Sequence, residues 1–177
     1  MAQVLQCQAT VMQVRLCRAG GADVVVVGTS DGVQVWDPVR GTRITAYPIP
    51  YANAGTPPAD RRNYVRGITL VPRGSELPAL VVGTSSGGLH VFEVDGQRFL
   101  YLQAFSGHHR APIADIASTH EPAFAAHTLA PAPLFAVADE GGELSVWDAG
   151  ALVPVAEMRA AGLVPAGERA EREGGQG

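Results

Sequence analysis

Lysine is absent from the sequence, and all 13 basic residues are arginine. This absence excludes chemistry that depends on a lysine amine. Acidic residues outnumber basic ones and give a formal net charge of −4, so the chain carries no positive field to attract phosphate backbones. We therefore expect no nucleic-acid partner.

Cysteine is also scarce, because only Cys7 and Cys17 occur and their spacing is not that of a metal or redox motif. Two reduced cysteines in a cytosolic protein are the simplest interpretation. No apolar run approaches the roughly 20 residues of a membrane helix, and no signal-peptide pattern opens the chain. We expect no membrane insertion, no cofactor and a cytoplasmic location.

One pattern is abundant: two apolar strands joined by a tight turn that contains glycine. It occurs three times, as DVVVVGTSDGVQVWD from Asp23, as ALVVGTSSGGLHVFEV from Ala79 and as LFAVADEGGELSVWDA from Leu134. Asp-Gly or Gly-Gly between apolar runs is a strong hairpin signal. Alternating segments flank each hairpin, so the repeat predicts three four-stranded antiparallel units.

These units predict an all-β fold, a β-propeller with about three blades in a partial ring. The blades lie near 11–47, 64–105 and 113–158. Repeats of this kind usually span about 40–45 residues, and two Pro-rich insertions, 48–63 and 120–133, explain the longer spacing here. Residues 1–158 form the predicted domain. Residues 159–177 are poor in apolar side chains and predict a flexible tail.

Several short motifs resemble those of the WD-repeat β-propeller family. The resemblance rests on the closing dipeptides Trp36-Asp37 and Trp147-Asp148, the degenerate form Phe92-Glu93 and the opening dipeptide Gly107-His108. It covers the chain from Val11 to about Met158. It implies a non-catalytic propeller of intracellular scaffolds, and it is compatible with a cytoskeletal or ciliary assembly. Members of the family have a full ring, whereas only three blades are recognisable here.

The resemblance also implies a hydrogen-bonded set of His, hydroxyl, Asp and Trp in each blade. In the third blade His108 and Trp147 match this set, but Ala138 and Gly141 stand where the hydroxyl and the Asp are wanted. In the first blade Thr29, Asp31 and Trp36 are present without a preceding Gly-His. We expect packing to stabilise each blade more than this polar network does.

Catalytic and metal-binding interpretations are weaker. Ser30 and Ser85 each lie in a G-x-S-x-G motif, but a strand follows each motif where a hydrolase nucleophile needs a helix. Adjacent histidines diverge on an extended chain, so convergence to a metal site would be accidental for the set His108, His109, Asp115 and His120.

The predicted function is that of a protein-interaction scaffold, because loops on a rigid propeller carry its contacts and Tyr and Arg often anchor interfaces. The candidate partner-binding residues are Tyr51, Arg61, Arg62, His109 and Arg110. Three blades leave two apolar faces open. We therefore expect either that the chain is the N-terminal part of a longer propeller or that another chain, possibly a second copy of this one, completes the ring. The alternatives are a propeller-based hydrolase that uses Ser30 or Ser85, and a truncated product without independent function.

Overall fold

The structure is a computed structural model that describes residues 4–19, 21–49, 63–73, 76–95, 97–119 and 133–160. Blade 1 contains β1 (Val11–Ala19), β2 (Ala22–Thr29), β3 (Gly32–Asp37) and β4 (Thr42–Pro48). Blade 2 contains β5 (Val65–Arg73), β6 (Glu76–Thr84), β7 (Leu89–Asp95) and β8 (Arg98–Phe105). Blade 3 contains β9 (Ile113–Ser118), β10 (Leu134–Asp139), β11 (Leu144–Asp148) and β12 (Val153–Pro154), followed by α1 (Val155–Ala160).

Each blade is an antiparallel sheet whose strands lie side by side in chain order. The inner strands β1, β5 and β9 are neighbours, which is the arrangement of a partial β-propeller. The predicted all-β fold is therefore confirmed. Among the described residues, no helix has the length and apolar character needed to cross a lipid bilayer.

The three predicted hairpins form where the glycine turns place them. In blade 1 the strands β2 and β3 are separated by Ser30 and Asp31, and Gly32 has a φ of 146°. A Cβ atom at Gly32 would lie 2.0 Å from the carbonyl oxygen of Tyr47, so this position accepts only glycine.

The fourth strand of blade 3 differs from the prediction. The sequence of residues 152–157 predicts a fourth strand for this blade, but β12 pairs with β11 through only two residues, Val153 and Pro154. Pro154 has no amide hydrogen with which to continue a ladder, and the following sequence VAEMRA is rich in good helix formers. The chain therefore leaves the sheet and enters α1.

The core consists of two apolar clusters, each between neighbouring blades. One joins blade 1 to blade 2 and includes Val24, Val26, Ile68 and Phe92. The other joins blade 2 to blade 3 through side chains such as Val81, Val91, Phe135 and Trp147. No cluster of described residues joins blade 3 to blade 1, so blade 2 alone is covered on both faces.

The two blade junctions share a steric device. The first residue of an inner strand, Val65 or Ile113, packs against a glycine near the end of the second strand of the preceding blade. A Cβ atom built on Gly28 would lie 2.4 Å from Cγ1 of Val65, and one built on Gly83 would lie 2.6 Å from Cγ2 of Ile113.

Arginine side chains also cross each junction. Nε of Arg15 donates to the carbonyl oxygen of Ile68 at 3.1 Å, and Nε of Arg66 donates to that of Ile113 at 3.2 Å. Close apolar packing and these hydrogen bonds to the main chain together fix the distance between neighbouring blades.

Candidate protein-interaction site

The uncovered side of blade 1, which we call the leading face, carries exposed apolar residues of β1. These are Val11, Val14 and Leu16, and Leu16 is 72% exposed. Val14 and Leu16 point away from blade 2 because β1 alternates, and Arg15 and Cys17 contact blade 2 from the opposite side. The register shift between Val11 and Gln13 brings Val11 to the same side as Val14. An apolar stripe on an inner strand thus faces solvent.

The uncovered side of blade 3, the trailing face, is also apolar. It is formed by Ala117 of β9, Ala136 and Ala138 of β10, and Leu144 and Val146 of β11. Leu144 is 67% exposed. Part of this face is an open hollow of about 230 Å³, lined by Ala117, Ser118, Thr119, Leu134, Phe135, Ala136 and Val146.

The trailing face also ends in an incomplete sheet edge. Because β12 pairs only with Trp147 and Asp148, the outer edge of β11 from Leu144 to Val146 has no described strand beside it. An edge of this kind presents main-chain donors and acceptors to a partner.

Inside blade 3, four side chains form a continuous hydrogen-bonded chain that we call the polar relay. Nδ1 of His109 lies 3.2 Å from Oδ2 of Asp139, and Nε2 lies 2.7 Å from Oγ of Ser145. Ser145 also accepts a hydrogen bond from Nε1 of Trp147 at 2.8 Å. The relay ties the turn after β10 to the middle of β11.

The turn itself anchors the acidic end of the relay. The backbone N–H of Glu143 donates to Oδ1 of Asp139 at 2.8 Å and holds the pKa of that carboxyl below its usual range. Burial acts in the opposite direction, and the hydrogen bond from His109 lowers the pKa further. Asp139 is therefore a carboxylate with structural partners on both oxygens.

Ser145, His109 and Asp139 are ordered like a nucleophile, a base and the group that orients the base. Ser145, however, already accepts from Trp147, whose ring is fully buried. A nucleophile needs a free path to substrate and an oxyanion hole beside it. The hydrogen bonds seen among these side chains are those of a structural relay.

Ser30 and Ser85, the serines of the G-x-S-x-G motifs, have other neighbours. Oγ of Ser30 donates to Oδ1 of Asp31, and Oγ of Ser85 lies 3.5 Å from Oδ1 of Asn63. Both serines lie in turns between β-strands, which is the context expected of hairpin residues.

One group of possible metal ligands occurs among the described residues: His109, Asp139 and Glu143, whose donor atoms lie within 4.8 Å of one another. Two of these residues belong to the polar relay, in which both ring nitrogens of His109 are already engaged. The set that the sequence analysis considered and judged accidental shares only His109 with this group, and His120 lies outside the described residues.

The structural markers predicted from the WD resemblance occupy buried or capping positions. Trp147 is packed against Phe105 and Phe135, with ring centroids 4.9 and 5.7 Å away. In blade 2, Phe92 is buried and packs against Tyr47 of blade 1. In blade 1, Nε1 of the buried Trp36 donates to Oε1 of Gln34 at 3.2 Å.

The two marker aspartates cap turns. Oδ1 of Asp37 accepts from the backbone N–H groups of Val39 and Arg40, and Oδ1 of Asp148 accepts from that of Ala151. The bond from Arg40 is the main cause that holds the pKa of Asp37 below its usual range.

The structure places the two adjacent histidines differently from the prediction. His109, a candidate partner-binding residue, is 3% exposed and belongs to the relay. His108, the expected relay residue, instead lies edge-on to Trp147 at 4.9 Å, and its Nδ1 is 3.7 Å from Oε1 of Glu157 in α1. Of the other candidate partner-binding residues, Arg110 is exposed, whereas Tyr51, Arg61 and Arg62 lie outside the described residues.

The relay partners Asp139 and Ser145 were not predicted, although register could have found them. Asp139 ends β10 as Thr29 ends β2 and Thr84 ends β6. Ser145 stands two residues before Trp147, as Gln34 stands before Trp36, and both accept from the indole N–H that follows.

No protein-family model and no curated protein match this sequence. Among solved structures, the crystal structure of the computationally designed Ika4 protein matches 85% of this chain and 100% of its own, with 15% identity and a TM-score of 0.37. The crystal structure of Chaetomium thermophilum Raptor matches 84% of this chain at 11% identity and a TM-score of 0.45, and the chain spans 16% of the Raptor chain. At these identities and scores, neither likeness indicates what this chain binds.

Proposed function

We propose that this chain is a WD-type propeller arc that acts as a non-catalytic protein-interaction module. Its leading and trailing faces bind other proteins, and rim residues such as Arg110 contribute further contacts. The observation that carries the proposal is the different burial of residues that occupy the same position in successive blades.

The register of the sheets establishes which positions are equivalent. Val11, Val65 and Ile113 each pair with the last residue of the second strand, and Val14, Ile68 and Ile116 follow three residues later. Val65 and Ile113 are fully buried, whereas Val11 is 46% exposed. Ile68 is fully buried, whereas Val14 is 53% exposed. The leading face thus has the composition of a blade junction without a described blade upon it.

Covering such a face is favourable. Full burial of a Val or Leu side chain is worth roughly 1.5–3 kcal/mol relative to exposure. Three partly exposed side chains of this type on one strand give a partner a substantial apolar contribution. Contiguous exposed apolar patches of this kind mark protein interaction sites.

The test compares binding by two surface variants. Leu16→Asp places a charge on the leading face, and Val39→Asp places one at a similarly exposed site in the turn after β3. Proteins retained by the immobilised wild-type chain should be lost with Leu16→Asp and retained with Val39→Asp. Equal retention by both variants would show that the leading face is not the binding surface.

The hydrolase alternative is separated by chemical labelling. A fluorophosphonate probe reacts with an activated serine, and we expect no labelling of Ser30, Ser85 or Ser145. Labelling at any of them would replace the proposed scaffold with an enzyme.

A further inference from the structure

The two open faces have complementary roles but mismatched surfaces. At each internal junction a trailing face receives the leading face of the next blade. A second copy of this chain could complete the ring only if the trailing face of blade 3 received the leading face of blade 1. The two internal junctions show what such contact requires.

The first requirement is a glycine opposite the first residue of the inner strand. Gly28 and Gly83 meet it, since a Cβ atom at either position would approach Val65 or Ile113 within 3 Å. The equivalent residue in blade 3 is Ala138, which precedes Asp139 as Gly28 precedes Thr29 and Gly83 precedes Thr84. Its methyl group occupies the space that Val11 of a second copy would need.

The second requirement is a glycine on the inner strand, and blade 3 does not meet it. Ile116 packs against Gly67, where a Cβ atom would lie 2.8 Å from Cγ1 of Ile116. The residue equivalent to Gly67 in blade 3 is Asp115, and the residue equivalent to Ile116 in blade 1 is Val14. Contact between copies would bury the Asp115 carboxylate against an apolar side chain, which is strongly unfavourable without a cationic partner.

We propose that the leading face docks a propeller blade that carries glycine where blade 3 carries Ala138, and that a second copy of this chain does not fit there. The proposal rests on the interaction function proposed above and specifies the partner's chemistry: a β-blade with glycine near the end of its second strand, opposite Val11. An uncharged small residue on its inner strand faces Val14.

To test this requirement for glycine, the trailing face of the chain is altered and its self-association is measured. The double variant Ala138→Gly with Asp115→Gly gives blade 3 a glycine at each of the positions equivalent to Gly83 and Gly67. The matched control, Ala136→Gly with Ala117→Gly, removes two side chains from the same strands and the same face, at positions not opposite Val11 or Val14. Self-association of all three proteins is measured by sedimentation velocity over a concentration series.

We expect the wild-type chain and the control to associate weakly and the double variant to associate about tenfold more tightly or better. Relief of overpacking and of a buried charge should exceed the roughly 1.4 kcal/mol that a factor of ten represents. Adding Leu16→Asp to the double variant should abolish the gain, which shows that the leading face is used.

Three results would overturn the proposal. They are tight wild-type association that Leu16→Asp abolishes, an equal gain in the control, and no gain in the double variant. Circular dichroism verifies that the variants fold, and Val11→Ala, which relieves the same clash from the other side at an exposed position, is measured in parallel. If the double variant does not fold, absence of a gain in Val11→Ala overturns the proposal. Tight association through the leading face in the wild type would leave the interaction function standing and remove only this choice of partner.

Discussion

The buried histidine of blade 2 gives a quantitative test of how the junction between blades 1 and 2 is stabilised. His90 lies on β7, is 1% exposed, and has no hydrogen-bond partner at either ring nitrogen among the residues that the structure describes. Burial lowers its pKa from 6.5 to about 4. Between these values the unfolded chain binds a proton that the folded chain does not, so the free energy of unfolding falls as the pH decreases.

The size of the effect follows from the two pKa values. A gap between 6.5 and about 4 corresponds to a loss of up to about 3 kcal/mol once the pH reaches 4, and of about 2 kcal/mol between pH 7 and pH 5. His90→Leu keeps a similar volume and removes both nitrogens. At pH 7 we expect the variant to be more stable by about 1–3 kcal/mol, because an unpaired buried polar group costs that much. Its advantage should grow by about 2 kcal/mol at pH 5.

The assay is urea unfolding followed by tryptophan fluorescence at pH 7 and pH 5, for the wild type and the variant. The remaining histidines are common to both proteins, so their contributions cancel in the difference. An advantage of His90→Leu that is the same at both pH values would refute the assignment of the pH dependence to His90. A variant less stable than the wild type at pH 5 would show that the imidazole makes a favourable contact.

The remaining predictions concern the junctions, the core and the relay. Gly83→Ala should lower the free energy of unfolding by about 1–3 kcal/mol, because its Cβ atom would lie 2.6 Å from Ile113, and an unchanged melting temperature in calorimetry would contradict this. Trp147→Ala should lower the free energy of unfolding, measured with denaturant, by about 3–5 kcal/mol, whereas Arg61→Ala should lower it by less than about 0.5 kcal/mol. Similar losses in the two variants would place Trp147 outside the core. Ser145→Ala should cost about 1–3 kcal/mol, since it removes the acceptor for Trp147 and leaves its buried N–H unpaired. Restoration of stability by Ser145→Thr would confirm the role of the hydroxyl.

Strands and hairpins could be predicted from the sequence because they depend on local patterns. Alternation correctly predicted a strand at Val11–Ala19, and glycine turns placed the hairpins. The short β12 was missed because the alternation of Leu152 to Glu157 resembles a strand, whereas Pro154 and the helix formers after it end the pairing.

The relay was missed for a different reason. Gly107-His108 matches a family dipeptide, so sequence reasoning chose the wrong one of two adjacent histidines. His108 and His109 lie in the connection between β8 and β9, where no strand pattern indicates which imidazole enters the blade. Only the paired strands show that His109 reaches Asp139 and Ser145.

Because blade 2 is covered on both faces, it should resist local unfolding more than the two end blades do. When each repeat contacts only its neighbours, its resistance to local unfolding depends on how many junctions it shares. Blade 2 shares two junctions and each end blade shares one, among the described residues. Amide hydrogen exchange should therefore be slowest in β6 and β7 and faster towards both ends, and a blade docked on the leading face should slow exchange most in β1 and β2.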